Sequence, residues 1–79
     1  MNMTIDTLMV SEMSNEQAAR FTAYSRPGAR KYIFARGTET VCRVAVEPSG
    51  TYPVIVVLND GETRRFATKV LALAWIREI

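Results

Sequence analysis

The sequence predicts a small α+β domain with a short N-terminal helix, a three- to four-stranded antiparallel sheet and a C-terminal helix packed on one sheet face. Short runs rich in β-branched and aromatic residues alternate with turn signals between residues 31 and 66, which is typical of strands joined by hairpins. On either side of this region, Ser14 and Thr68 are good N-cap residues that each precede a run with helical character. Together these observations give the order helix, strands, helix.

Length and composition predict one domain close to the lower size limit for independent folding. The chain has 79 residues, of which 48% are hydrophobic, so a small core can form and disorder is not expected. We assign residues 13–79 to a single α+β domain. Residues 1–12 show only weak alternation of apolar side chains and are interpreted as an N-terminal arm or a short strand.

The first helix is predicted from a capping box, in which Ser14 and Gln17 satisfy each other's backbone N–H groups. We expect this helix to continue to about Tyr24. Pro27 and Gly28 then end it, because proline and glycine both interrupt helices.

Four strands are predicted, at about residues 31–35, 40–47, 52–58 and 62–66. Alternation in the second strand gives two faces: Cys42, Val44 and Val46 on one, and Val41, Arg43, Ala45 and Glu47 on the other. The third strand is apolar on both faces, which predicts that it is the central or best covered strand. Asp60 and Gly61 form a hairpin signal that pairs the third strand with the fourth.

The final helix begins after Thr68 and is nearly all apolar. One broad stripe at helical spacing holds Leu71, Ala72, Trp75, Ile76 and Ile79. We interpret Trp75 as a core residue, because a tryptophan on the apolar stripe of a terminal helix usually packs inward.

The residue types argue against catalysis and metal binding. The chain has no histidine and a single cysteine, Cys42, so it lacks an intramolecular disulfide, the usual ligands of a transition-metal site and the common pairs of base and nucleophile. We therefore expect a non-enzymatic protein with no metal and no cofactor. No secretory signal or membrane-spanning run is visible, so we expect a cytoplasmic protein without a membrane partner.

Basic side chains are concentrated in the middle of the chain. Residues 17–46 carry six basic side chains against one acidic side chain, and a second basic cluster adjoins the last helix. Such clusters can bind the phosphate groups of a nucleic acid. The candidate binding residues are Arg26, Arg30, Lys31, Arg36, Arg43, Arg64, Arg65 and Lys69.

A single sheet with both helices on one face would leave its other face exposed. The residues expected on that open face are Val41, Arg43, Ala45, Ile55 and Val57, with Tyr32, Phe34 and Arg36 as further candidates. Aromatic and arginine side chains on a sheet can stack on bases and contact phosphate. Two alternatives stay open: Tyr32 and Phe34 fill the core, or Ile55 and Val57 form an interface with a second copy in a homodimer.

Residues 60–75 resemble a DNA-binding domain. The string from Phe66 to Trp75 is similar to the pattern F-x-T-K-x-x-A-x-x-W, which follows a turn and a basic strand in the arm-type DNA-binding domains of phage and transposon integrases. That resemblance implies a three-stranded sheet packed on a C-terminal helix, with the sheet in the major groove of DNA.

The resemblance also implies roles for individual residues. Arg64, Arg65 and Lys69 would contact DNA, while Phe66, Ala72 and Trp75 would form the core. The apolar pair at positions 70 and 71 departs from the family, which usually has charged residues there. The order of helix, strands and helix is also similar to the double-stranded-RNA-binding domain, although the lysine-rich start of that family's last helix is absent here.

We expect a small non-enzymatic binding protein, encoded by a phage or another mobile element, that binds nucleic acid or a nucleoprotein complex through a basic sheet face and loop. The alternative is a protein–protein inhibitor of a host defence complex, similar to anti-CRISPR proteins, that acts by occupying a protein surface. This alternative rests on analogy with other compact α+β chains of this length rather than on a motif. A homodimer is compatible with both hypotheses.

Overall fold

Six strands form one antiparallel sheet in the part of the chain that the structure describes, and their order in the sheet follows their order in the sequence. The computed structural model describes residues 3–5, 8–21 and 25–79, the first of these ranges as backbone only. The predicted end of the first helix, at about Tyr24, lies outside the described residues. In chain order, the elements are β1 (Met3–Ile5), β2 (Leu8–Glu12), α1 (Asn15–Arg20), β3 (Arg30–Arg36), β4 (Glu39–Val46), β5 (Val54–Leu58), β6 (Thr63–Phe66) and α2 (Lys69–Arg77).

The predicted class, an α+β domain with an antiparallel sheet and a C-terminal helix, is confirmed. The predicted number of three to four strands is wrong, because the residues before α1 add two strands to the sheet. β2 pairs with β3 from Leu8 to Glu12, and the Leu8 side chain is fully buried. The helix α1 therefore lies between two strands in the sequence rather than ahead of all of them.

Both helices begin after the cap residues that the sequence predicts. The Ser14 hydroxyl accepts a hydrogen bond from the Gln17 N–H at 3.2 Å, and the Gln17 side chain accepts one from the Ser14 N–H at 2.9 Å. The Thr68 hydroxyl accepts a hydrogen bond from the Leu71 N–H at 3.2 Å. These contacts satisfy N–H groups that have no partner within the first turn of a helix.

The two helices lie on opposite faces of the sheet, which corrects the expectation that one face is open. On the first face, which we call the α2 side, the buried core consists of Leu8, Cys42, Val44, Val54, Val56, Ala72 and Ile76. On the second face, which we call the α1 side, it consists of Met13, Phe21, Ala45, Ile55 and Val57. Met13 and Phe21 flank α1, so residues at both ends of this helix hold it over the sheet.

Strand β5 is buried on both faces, as its apolar sequence predicts. No residue from Val54 to Val57 is more than 5% exposed. Ile55 and Val57 are therefore unavailable to a second copy, and the prediction of an exposed apolar strip on this strand is wrong. Ala45 of β4 is also predicted to lie on the open face, and it too is fully buried. The reason is that a strand with two apolar faces needs a cover on each of them.

A β-bulge between β3 and β4 changes the face on which Val41 lies. Phe34 pairs with Cys42, and the next residue of β3 pairs with Thr40. Val41 is therefore an extra residue of β4 that has no partner in β3. Val41 packs against the core of the α2 side. Simple alternation predicts that it shares a face with Ala45, and the bulge makes that prediction wrong.

Only part of the predicted apolar stripe of α2 faces the core. Ala72 and Ile76 are buried and Trp75 is half-buried. Leu71 and Ile79 are 54% and 42% exposed, so their assignment to the core stripe is wrong. The helix has nine residues, which is about two and a half turns, so few of its side chains point directly at the sheet.

The substitution Ile55→Ala should lower the free energy of unfolding by about 2–5 kcal/mol, because it leaves a cavity in a fully buried position. Leu71→Ala is the matched control and should cost less than about 1 kcal/mol, since Leu71 is about half exposed. Urea unfolding followed by circular dichroism measures both values. Equal losses for the two variants would contradict the burial described for β5.

Candidate functional site

The basic residues that the sequence predicts to bind are divided between the two faces of the sheet. Arg30, Arg64 and Lys69 lie on the α2 side, whereas Lys31, Arg43 and Arg65 lie on the α1 side. Arg36 is the last residue of β3, and Arg26 precedes that strand. These side chains therefore do not form one continuous basic sheet face.

Two of these basic side chains hold elements of the fold together. The Lys31 ammonium group donates a hydrogen bond to the Ala18 carbonyl of α1 at 2.9 Å, which ties α1 to β3. The Arg36 guanidinium donates one to the Ile79 carbonyl at 2.9 Å, which ties β3 to the residues that follow α2. Both interactions are internal to the chain: they leave the positive charges in place but occupy one donor of each group and restrict where its side chain can reach.

Glu47 is a buried carboxylate that fixes two further basic residues. It accepts hydrogen bonds from the Arg26 backbone N–H at 2.8 Å and from the Arg65 guanidinium at 3.0 Å. The hydrogen bond from Arg26, together with the contact to Arg65, holds the pKa of the Glu47 carboxyl below its ordinary value. Arg65 also donates to the Tyr52 carbonyl at 3.3 Å, so its position is determined by the fold.

Arg30 and Arg64 form exposed ion pairs. Arg30 lies 3.6 Å from Glu12, and Arg64 lies 3.5 Å from Glu62. The Arg64 guanidinium is also 5.1 Å from the centroid of the Trp75 ring, within the range of cation–π contacts. Exposed pairs contribute only about 0–1 kcal/mol, so they constrain these two arginines weakly.

The side chains of Arg43 and Lys69 form no hydrogen bond or ion pair with another residue in the described ranges, whereas Arg26 is held through its backbone N–H and the other candidates through their side chains. Arg43 and Lys69 each line a cavity. Lys69 lines a groove of about 340 Å³ on the α2 side, which we call the apolar groove. Arg43 lines a cavity of about 450 Å³ on the α1 side, which we call the polar pocket.

The apolar groove runs between α2 and strands β2 and β3. It is lined mainly by apolar side chains, among them Val10, Tyr32, Phe34, Val46 and Leu73. α2 packs mainly against β5 and β6, so it covers β2 and β3 less completely on this side. Tyr32 and Phe34 are consequently half-buried at the groove, neither deep in a core nor on an open sheet face.

The outer surface of α2 adjoins this groove and is also apolar. Val70 is 76% exposed and Leu71 is 54% exposed, and Ala74 lies between them on the helix surface. We call these three residues the apolar helix face. Charged side chains occur only at the two ends of α2. Leu73, which lines the groove, is three residues from Val70, so the groove and the apolar helix face are neighbours.

The apolar helix face is not predicted from the sequence, because the helical spacing assigns Leu71 to the core stripe. A signal was nevertheless present in the helical geometry. Successive residues of an α-helix are rotated by about 100°, so a helix with Ala72 and Ile76 at its buried centre turns Val70 away from the sheet. An apolar residue at such a position predicts a binding surface.

The single cysteine does not form a reactive site. Cys42 is fully buried on the α2 side, and burial raises the pKa of its thiol to about 11. The thiol is therefore protonated at neutral pH, and only the thiolate is a good nucleophile. Within the described ranges, no group of three or more histidine, cysteine, aspartate or glutamate residues could hold a metal ion.

Comparison of the chain with protein-family models, curated proteins and solved structures found no match. The resemblance to integrase DNA-binding domains therefore stays a prediction. The packing agrees with the core roles that the resemblance implies, since Ala72 is buried and the ring centroids of Phe66 and Trp75 are 5.7 Å apart. The basic residues do not agree with one DNA-binding face, because Arg64 and Arg65 lie on opposite faces of the sheet. The sheet also has six strands, where the resemblance implies three. Among the described residues, no helix is long and apolar enough to cross a membrane.

The substitution Glu47→Gln should destabilise the chain at pH 7 and remove part of its acid sensitivity. The pKa of Glu47 is lower in the folded chain than in the unfolded chain, where it is about 4.3. The charged carboxylate therefore stabilises the fold above about pH 4.3, and this stabilisation is lost as the pH falls through the lower pKa of the folded chain. The difference in unfolding free energy between the wild type and Glu47→Gln should therefore shrink between pH 7 and pH 3. Urea unfolding at both pH values measures it.

Glu16→Gln serves as the matched control for this experiment. Glu16 forms only an exposed ion pair with Arg20 at 2.9 Å, so its replacement should cost less than about 1 kcal/mol at pH 7. A difference between the wild type and Glu47→Gln that stays constant from pH 7 to pH 3 would contradict the lowered pKa.

Proposed function

We propose that this chain is a small protein-binding module that acts by occupying the surface of another protein. The observation that supports this proposal best is the exposure of Val70 and Leu71 on a helix that is charged only at its ends. Contiguous apolar surface on a small protein generally marks a protein–protein interface. Such a module needs no catalytic residue. An inhibitor of a host defence complex, encoded by a phage or another mobile element, is the kind of module that we favour.

The apolar groove offers a place for an anchor residue of the partner. Protein interfaces obtain most of their binding energy from a few large side chains that fill pockets. The groove is walled by Tyr32, Phe34 and Leu73, and it is continuous with the apolar helix face. A bulky apolar side chain in the groove would allow the rest of the partner surface to cover Val70 and Leu71.

Lys69 indicates the charge that the partner should carry. Lys69 lines the groove, and its side chain forms no hydrogen bond or ion pair within the described part of the chain. An acidic side chain next to the apolar anchor would pair with it. Charges at the edge of an interface favour the correct partner and speed association more than they raise affinity. We therefore expect a partner surface with an apolar anchor and a neighbouring carboxylate.

Nucleic-acid binding is the second candidate function, and the excess of basic residues between positions 17 and 46 favours it. It has less support, because Lys31, Arg36 and Arg65 form hydrogen bonds within the chain. A mobility-shift assay with random duplex and single-stranded DNA tests it. Binding that weakens steeply with salt would support it, and no shift at low salt would contradict it.

The substitution Val70→Glu should weaken partner binding at least about 30-fold, equivalent to about 2 kcal/mol, because it buries an unpaired charge in the interface. Val70 is exposed in the free chain, so the variant should fold normally. Affinity capture from a lysate of the source cells, followed by titration of the purified partner, measures the loss. Nuclease treatment of the lysate separates protein partners from those held by nucleic acid.

Ala19→Glu is the matched control, since Ala19 is an exposed small apolar residue on the other helix. It should capture the same stoichiometric partner as the wild type. Equal capture by the wild type and Val70→Glu would contradict the proposed surface. Light scattering of the chain alone adds a further check: a dimer that Val70→Glu dissociates would identify a second copy as the occupant and overturn the inhibitor proposal.

A further inference from the structure

We infer that the polar pocket on the α1 side binds a nucleotide, a phosphate-bearing ligand with a flat apolar body. The pocket lies between α1 and strands β3 to β5, and its volume of about 450 Å³ is within the range of about 300–1,000 Å³ typical of small-molecule sites. It is on the opposite face of the sheet from the apolar groove. The inference therefore goes beyond the proposed function and does not depend on it.

The charges around the pocket favour an anion. Arg20 and Arg43 both line it, and no acidic residue is among its described lining residues. Arg43 lies in a row across the sheet between Ile33 of β3 and Val57 of β5, and no described residue forms a hydrogen bond or ion pair with its guanidinium group. A guanidinium group can form two parallel hydrogen bonds with a phosphate. A bound phosphate would thus neutralise a charge that the fold leaves without a partner.

Arg20 can contribute a second guanidinium group to the same ligand. Its ion pair with Glu16, at 2.9 Å, joins two side chains that are about four-fifths exposed. Such exposed pairs are weak, so the Arg20 side chain can turn toward a phosphate at little cost. Since Arg20 is at the end of α1 and Arg43 is on β4, a ligand between them would be held from both sides of the pocket.

The remaining lining explains why phosphate alone would not fill the pocket. Met13, Phe21, Ile33 and Val57 form an apolar part of its wall. A small inorganic anion would leave this surface in contact with water. A flat ring attached to the phosphate would cover this apolar wall. That is favourable because apolar surface of both the ring and the pocket is removed from contact with water.

Two side-chain amides can recognise the polar edge of that ring. The Asn59 amide nitrogen donates a hydrogen bond to the Thr40 carbonyl at 2.6 Å, which leaves the Asn59 oxygen free to accept one. The Gln17 oxygen accepts from the Ser14 N–H, which leaves the Gln17 nitrogen free to donate. The pocket therefore presents one acceptor and one donor beside its arginines, and the edge of a nucleobase offers complementary groups.

An NMR titration of the isotope-labelled full chain tests this inference. Adenosine monophosphate should produce saturable shifts at the backbone amides of Arg43, Asn59 and Gly61. Adenosine without phosphate, and inorganic phosphate without the nucleoside, should each bind at least about tenfold more weakly. Inorganic phosphate that binds as tightly as adenosine monophosphate would overturn the assignment of a nucleotide.

A phosphate attached to a nucleobase occurs both in a free nucleotide and in a nucleic-acid strand, and titration with a short single-stranded oligonucleotide distinguishes these two ligands. Tighter binding than adenosine monophosphate at the same amides would assign the phosphate to a nucleic-acid strand. Weaker binding would assign it to a free nucleotide. Both results support the pocket as the site.

Variants show whether the arginines hold the ligand. Arg43→Gln should weaken binding of adenosine monophosphate at least about tenfold, because it removes a bidentate charged contact. Arg20→Gln should weaken binding of adenosine monophosphate several-fold. If Arg43→Gln does not fold, the Arg20→Gln variant alone tests whether the arginines hold the ligand. Arg30→Gln is the control, since Arg30 is exposed on the opposite face and should bind like the wild type.

Two further results would overturn the inference. One is the absence of any saturable shift at millimolar adenosine monophosphate in the wild type. The other is a set of shifts that Arg43→Gln and Arg20→Gln both leave unchanged, since the ligand would then bind elsewhere.

Discussion

The centre of this protein is β5, whose residues from Val54 to Val57 are buried on both faces of the sheet. Each face of such a strand needs a cover, because apolar surface left in water loses about 25 cal/mol of stabilisation per Å². Ala72 and Ile76 of α2 cover one face, and Met13 and Phe21 at the ends of α1 cover the other. The opposite placement of the two short helices follows from this requirement.

The width of the sheet explains why a cavity remains on each side. Six strands spaced about 4.8 Å apart span roughly 24 Å, whereas one helix with its side chains is about 10 Å wide. On the α2 side, strands β2 and β3 line the apolar groove next to the exposed Val70 and Leu71. On the α1 side, the uncovered part of β3 to β5 forms the polar pocket around Arg43. One face thus suits an apolar protein surface, and the other suits a small anion.

Features that depend on neighbouring residues could be predicted from the sequence, whereas features that depend on distant contacts could not. The caps at Ser14 and Thr68 and the double-sided burial of β5 follow from local patterns. The face that α1 covers depends on Phe21 packing against strands far along the chain. The charge available for binding cannot be predicted from local sequence either. Arg65 is paired with Glu47, which is 18 residues away in the sequence, so a count of basic residues overestimates that charge. The apolar groove also requires β2, whose alternation is too weak to identify a sheet strand without its partner β3.

The placement of one helix on each face of β5 is the claim on which both proposed binding surfaces depend. A nuclear Overhauser experiment on protein with labelled methyl groups and labelled phenylalanine rings tests it most directly, because cross-peaks appear only between groups that lie close together. Opposite placement predicts cross-peaks between Ile55 and Phe21 and a separate set between Val56 and Ile76. Cross-peaks between Ile55 and Ile76 would contradict it, since they would place α2 on the face assigned to α1.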